Sequence, residues 1–381
     1  MRVARVEWAG FALPFRAPFP TAHGIETHRR GLLIWARLED GTVGLGEASP
    51  LPSFGGGDLE GAGSALAAAG PTLEGLSVED ALARLASLQS AAARFGLETA
   101  LLAASGRARG RRLAELLTSG QDGTADPVAE RVPVNATVGG VGRDEAATAA
   151  ARAVEAGFRT VKLKVAVTPS VADEVERVAA VRAAIGAGAR LRLDANEGWE
   201  VDRAVAVLRA CAPLDVELVE QPVKAGDLAG LAAVRRAVGI PIAADEAVRD
   251  ELAARAVLAA DAADLLVIKP TIVGGLRAGR RIAELAAAAG RAAIVTTALE
   301  AGVGIAAGLH LAASLGPAAG APTRAHGLAT GALLESDLLS PPLEPRRGEM
   351  ALPGGPGLGV ALDPAALARW ASAAGREATA C

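Results

Sequence analysis

TVKLKV (Thr160–Val165), LRLDAN (Leu191–Asn196), VELVEQP (Val216–Pro222), IPIAADE (Ile240–Glu246), DLLVIKP (Asp264–Pro270) and AAIVTTA (Ala292–Ala298) decide the fold. Each is a short run rich in Val, Ile and Leu. Between them lie stretches with helical periodicity, such as Ser170–Ile185 and Asp202–Cys211, each followed by a turn residue. Alternation of this kind calls for parallel strands joined by crossover helices. Counted from VPVNATV (Val132–Val138), seven or eight units fill this part of the chain, which predicts a TIM barrel of the (β/α)7β type. An open doubly wound sheet would want a Gly-x-Gly-x-x-Gly turn after its first strand. VNATVGGVGRDE (Val134–Glu145) has none.

Upstream of the beat the texture is α+β. VARVEWAGFAL (Val3–Leu13) and GLLIWARLEDGTVGLGEAS (Gly31–Ser49) read as strands, the second with an Asp-Gly turn at Asp40-Gly41, and Leu59–Leu117 reads as helices. The polar stretch Thr118–Pro133 suits a boundary. The expected division is a capping region over 1–131, a barrel over 132–340 and a tail over 341–381. Pro18–Gly31, between two predicted strands, is expected to be a lid loop that excludes water.

Composition narrows the function. Hydrophobic residues make up 51% of the 381, enough for a large core, and the net charge of −4 is spread without a basic stripe. Nucleic acid and membrane are therefore not expected partners. Without a signal-like or membrane-length apolar run, a cytoplasmic enzyme acting on a small molecule is expected, with homo-oligomerisation left open. Cys211 reads as a buried hydrophobe and Cys381 as a stray thiol.

The chemistry lies at the strand ends. Asp194, Glu220, Asp245 and Lys269 close four consecutive apolar runs at intervals of 26, 25 and 24 residues, the length of successive βα units. Residues at the C-terminal ends of barrel strands converge on one mouth. Three acids gathered there repel unless a cation neutralises them, and an all-oxygen donor set favours Mg²⁺, with Mn²⁺ as substitute. The alternative for each acid is a helix cap.

The lysines point the same way. Of the 39 basic side chains only four are lysine (Lys162, Lys164, Lys224 and Lys269); the other 35 are arginine. Lys162 and Lys164 share one face of their strand, and Lys269 lies four strands further round. Arginine does not give up its proton near neutral pH, whereas a lysine lowered from about 10.4 to roughly 7–8 does. Lys224, beyond its strand, reads as a surface residue. The set suits removal of a proton α to a carboxylate. A Schiff-base lyase with a lysine nucleophile would leave the three acids without a role.

KLK, DAN, EQP, ADE and IKP, in this order and spacing, resemble the muconate-lactonising-enzyme subgroup of the enolase superfamily. GEASPLPSFGG (Gly46–Gly56), KPTIVGG (Lys269–Gly275), TTALEAGVGIAAGLHLAASL (Thr296–Leu315) and AHGLATGALL (Ala325–Leu334) look most like its o-succinylbenzoate synthases. The resemblance implies a capping domain completed by the C-terminal tail. It also implies a Mg²⁺-dependent hydro-lyase of menaquinone biosynthesis, which dehydrates 2-succinyl-6-hydroxy-2,4-cyclohexadiene-1-carboxylate to 2-succinylbenzoate. Carried over by position, Lys164 would be the base, Lys269 would stabilise the enediolate, and Lys162 would hold the substrate carboxylate and depress Lys164. Asp194, Glu220 and Asp245 would bind the metal. Asn196 and Glu246 would be either supports behind those ligands or loop and cap residues, and Thr296 and Thr297 would touch substrate. N-succinylamino-acid racemases share both lysines and stay open as a reading, as do cycloisomerases. Dipeptide epimerases usually carry an Asp-x-Asp on the eighth strand, which HGLATG lacks.

His23 and His28 read as lid polars, His310 as a core or interface residue, and His326 as a loop-orienting residue.

Overall fold

The computed structural model describes residues 1–21, 24–52, 55–118, 127–140, 142–316 and 324–372. Three strands open the chain: β1 (Val3–Thr21), β2 (Gly24–Leu38) and β3 (Val43–Ala48). They pair antiparallel, and the β2–β3 connection is the expected turn, with the Thr42 amide donating to Asp40 Oδ1 at 2.8 Å. The helix Ala91–Ala108, buried along most of its length, packs on β3. Gly44 and Gly46 lie on one face of β3 because that helix comes close. A Cβ at either would run into the backbone of Ala100 or Gly96.

A short pair, β4 (Arg131–Pro133) with β12 (Glu349–Ala351), precedes the main sheet. That sheet holds β5 (Ala136–Val138), β6 (Thr160–Lys164), β7 (Arg190–Asp194), β8 (Val216–Glu220), β9 (Ile242–Ala244), β10 (Leu265–Ile268) and β11 (Ala292–Val295). All neighbours are parallel and lie in sequential order. Two residues close the ring. The His326 amide donates to Pro133 O (2.8 Å) and its carbonyl accepts from Asn135 N (3.0 Å); the Gly327 amide donates to Val295 O (2.9 Å) and its carbonyl accepts from Thr297 N (3.1 Å). This is the (β/α)7β barrel, with an eighth strand reduced to two bridges. Leu218, Ala243, Leu265, Val267 and Ile294 form a separate apolar cluster inside it. The tail then returns: β13 (Ala371–Ser372) pairs with β1 at Gly10 and Phe11, completing the capping sheet.

The expected lid loop is instead a hairpin, because β1 runs to Thr21 and β2 starts at Gly24. Prolines 14, 18 and 20 each lack a ladder donor. The structure accommodates them at an edge: β13 covers β1 only at Gly10 and Phe11, and the β1–β2 register skips between Pro14 and Phe19. His23 lies outside the described residues.

Candidate active site

Strand register builds the site. Lys164, Asp194 and Glu220 are successive Cα partners across β6, β7 and β8, and Glu220 is level with Ala243 on β9. Asp245 follows two residues beyond Ala243, on the same side of the chain. These side chains point into the barrel at its C-terminal end, above the apolar cluster that fills the interior.

Lysines and acids interleave there. Lys162 Nζ donates to Glu220 Oε2 at 2.8 Å and lies 2.9 Å from Asp194 Oδ2. Lys164 Nζ donates to Asp194 Oδ2 (2.8 Å) and to Asn196 Oδ1 (2.5 Å). Lys269 is paired with Asp245 Oδ1. Asn196 Nδ2 in turn donates to Glu246 Oε1 at 2.9 Å, while the buried Glu246 Oε2 has no hydrogen-bond partner among the described residues. Asp194, Glu220 and Asp245 are each at most 5% exposed. The Lys164 side chain, at 34%, is the most open of the three mouth lysines, the one a molecule entering the mouth reaches most easily.

The electrostatics follow from burial and pairing. Burial pushes the Asp194 carboxyl up, but the Lys162 and Lys164 ammoniums outweigh it and hold the group well below the usual carboxylate range. Burial pushes Lys162 and Lys269 down, and the facing carboxylates outweigh that too: both are held above the ordinary lysine range, Lys162 by Asp194, Glu220 and Asp245, and Lys269 by Asp245 and Glu246. The depressed lysine expected from the sequence is therefore not seen at these two positions, because each is paired with buried negative charge. Burial raises Glu220 despite Lys162. It also pushes Glu246 up to about 7, with Asp245 adding repulsion.

Among the described residues no three acidic, His or Cys side chains are gathered as a finished metal cage. Lys162 stands between Asp194 and Glu220, and Lys269 holds Asp245. The donor set nevertheless fits a hard divalent cation. It is all carboxylate oxygen, four acids face three lysines, and one buried Glu246 oxygen is left without a donor.

Backbone strain marks the same rim. Five of the eight described non-glycine residues with positive φ follow barrel strands at this end: Ala166 (64°), Asn196 (42°), Glu197 (64°), Gln221 (34°) and Leu299 (65°).

The other expected residues sort differently. Thr296 and Thr297 are buried, and both hydroxyls donate to Gly327 O (2.9 and 3.2 Å). They brace the closing strand. Lys224 is exposed and Cys211 is buried, as expected. His310 Nδ1 accepts from Ala114 N (3.1 Å) and Nε2 bonds to Leu358 O (3.1 Å), which ties a capping helix to the tail. His326 Nδ1 accepts from Val295 N at 3.0 Å. His28 Nδ1 lies 3.0 Å from the hydroxyl of its neighbour Thr27.

Sequence reasoning missed a second polar cluster, between the capping sheet and the barrel. Arg29 donates to Leu299 O and Pro50 O (2.9 Å each) and to Ser49 O and Ala298 O. Glu47, fully buried on β3, accepts from Ala301 N and Gly304 N (2.8 Å each) at the start of the helix Gly302–Ser314. Glu300 beside it is pushed up to about 7 by burial and by Glu47. The available signal was Glu47 itself, a lone acid in the apolar run VGLGEA. A cavity of about 170 Å³ lies here, lined by Phe15, Glu26, His28, Arg30, Leu51 and Leu299. A larger one of about 500 Å³, between Leu45, Ala103 and residues 340–361, has Arg107 as its only ionisable lining residue and carries no chemistry.

Comparison with known proteins agrees with this geometry. Residues 145–366 match the family described as Enolase C-terminal domain-like. The chain is 44% identical over 223 residues to o-succinylbenzoate synthase of Thermobifida fusca, covering 58% of this chain and 67% of that enzyme. It is 31% identical to L-Ala-D/L-Glu epimerase of Bacillus subtilis over 94% of this chain and 97% of that one. A substrate-liganded structure of the Bacillus subtilis epimerase superposes with a TM-score of 0.85 at 30% identity, over 94% of this chain and 99% of that one. Muconate lactonizing enzyme from Pseudomonas fluorescens superposes with 0.88 at 27% identity, over 97% and 99%. The chain belongs to the enolase superfamily, in its muconate-lactonising-enzyme subgroup.

Proposed function

We propose that this protein is an o-succinylbenzoate synthase. The observation that carries the reading is the pair of amines, Lys164 and Lys269, on strands four apart around a mouth rich in carboxylates. The higher identity to an o-succinylbenzoate synthase than to an epimerase supports it, as does HGLATG in place of an Asp-x-Asp.

In this reading Asp194, Glu220 and Asp245 hold Mg²⁺ or Mn²⁺. Held there, such a cation would supply positive charge to neutralise charge that develops on the substrate carboxylate. Lys162 binds that carboxylate. Lys164, as the free amine, takes the proton from the carbon α to it, while Asn196 holds the nitrogen in place. Lys269 faces the enediolate from the other side as an ammonium. Lys164 then returns its proton to the departing hydroxyl, and water leaves on the face from which the proton came.

A second reading, epimerisation of an acylated amino acid or a dipeptide, is favoured by the match to the Bacillus subtilis epimerase along nearly the whole chain. There Lys164 and Lys269 would exchange a proton across the same carbon. Side-by-side assays of dehydration, N-succinylamino-acid racemisation and L-Ala-D/L-Glu epimerisation separate these readings. Dehydration is expected to have the highest kcat/KM, and an epimerase rate exceeding it would reverse the assignment. EDTA is expected to abolish turnover and Mg²⁺ or Mn²⁺ to restore it; full activity in EDTA would exclude the metal-dependent scheme.

A further inference from the structure

Gln221 follows Glu220 directly, and its side chain is fully buried. Its Oε1 accepts from Asp245 N (2.9 Å) and Ala247 N (3.2 Å), and its Nε2 donates to Val223 O (2.9 Å). Its backbone amide donates to Ala243 O (2.9 Å), and its carbonyl accepts from Glu197 N (2.8 Å). One residue thus bonds the turn after β7, the end of β9 and the turn beyond it. Asp194, Glu220 and Asp245 all sit within three residues of those bonds. The backbone is held at a φ of 34°, a conformation that is strained for a non-glycine residue and persists only where surrounding bonds over-determine it. A carboxamide is the group that fits, because it accepts two amides at one end and donates at the other. A carboxylate gives up the donor, and an ammonium or guanidinium gives up the acceptor.

We infer that Gln221 is a positioning residue for a divalent cation: it sets the spacing of the three carboxylates through their turns without touching the ion. This rests on the proposed metal role of Asp194, Glu220 and Asp245. Residues behind a metal's ligands govern its affinity by about 10–100-fold. A residue that merely stabilised the fold would lower the unfolding temperature without selectively weakening the metal.

The experiment measures Mn²⁺ binding to the full-length protein by electron paramagnetic resonance, with thermal unfolding in EDTA as the control for folding. Gln221→Leu is expected to weaken Mn²⁺ by about 10–100-fold while remaining folded. Gln221→Glu, which keeps the acceptor oxygen for Asp245 N and Ala247 N but loses the donor to Val223 O, is expected to fall between wild type and the Leu variant. A Leu variant that binds Mn²⁺ like wild type, or a Glu variant as weak as Leu, overturns the inference. Should the Leu variant fail to fold, Gln221→Asn takes its place. It keeps the carboxamide but draws it back by one methylene, so weakened binding supports the inference and wild-type binding overturns it. A wild-type protein that binds no Mn²⁺ overturns the metal reading itself, and this inference with it.

Discussion

The two ends of the barrel use different cations. At the C-terminal mouth, Asp194, Glu220 and Asp245 are paired with Lys162, Lys164 and Lys269. At the N-terminal floor, Glu217 is paired with Arg190, Arg192 and Arg324, and Asp261 and Asp264 with Arg235 and Arg291. Both ends set opposite charges against each other, with Arg190 and Asp261 of the floor exposed and Arg192 fully buried. A guanidinium is a permanent, forked donor, suited to charges that never change; an ammonium can give up a proton. Under the proposed function, the floor holds still and the mouth exchanges protons.

The sharpest way to break that contrast is to give the mouth a floor residue. Lys164→Arg keeps a positive charge beside Asp194 but removes the transferable proton. Turnover is expected to fall by about 10²–10⁴-fold, and Lys164→Ala should fall as far. Circular dichroism should be unchanged in both. An Arg variant retaining more than about a hundredth of wild-type turnover would remove Lys164 from the role of base.

The converse experiment disturbs the floor. Arg192 is fully buried, with Nε 2.7 Å from Glu217 Oε2 and an Nη1 bond of 2.8 Å to Ala325 O on the segment that closes the barrel. Arg192→Met leaves that carbonyl without its donor and leaves Glu217 only the longer pairs to Arg324 (3.3 Å) and Arg190 (3.8 Å). The expected cost is about 3 kcal/mol, at the low end for a broken buried pair, because those two arginines still face the carboxylate. Urea denaturation reads this as a lower midpoint at unchanged slope. Turnover per folded molecule should stay near wild type, and a loss as large as that of Lys164→Arg would erase the distinction between the ends.

Much of this contrast was legible in the sequence. The strand–helix beat announced the barrel because each strand buries both faces and each helix one, and the even spacing of Asp194, Glu220, Asp245 and Lys269 put them at equivalent heights. The scarcity of lysine marked the mouth. The eighth strand was harder to see: Ala325-His326-Gly327 has no apolar run, and its two bridges exist because the ring has to close. The stretch Pro18–Gly31, expected to be a lid loop, instead begins in β1 and runs into β2, and its pairing to the partner strand leaves no mark in the local sequence. Gln221, Arg29 and Glu47 work through backbone groups far away in sequence, and no local pattern records such partners.

The smallest expected effect concerns neither end but the seam between barrel and cap. His310 is buried, and burial pushes it down to about 4. Its Nδ1 accepts the Ala114 amide, so protonation would set two N–H groups against each other. A folded-state value below the ordinary one means the stabilisation is complete above about pH 6.5 and is lost as pH falls toward 4, amounting to about 2 kcal/mol by pH 5. His326, also pushed down to about 4, acts in the same direction. Glu246 and Glu300, raised to about 7, oppose them, since a raised acid gains stability as pH falls over this range. Glu47, Glu98, Glu220 and Asp337 are raised as well and Asp194 is lowered, so only a difference isolates the histidine. His310→Gln supplies an acceptor for Ala114 and a donor for Leu358 without titrating. Relative to wild type it should gain about 2 kcal/mol between pH 7 and pH 5, read from paired denaturation curves. A constant offset across that range would mean that His310 does not hold its proton off in the folded protein.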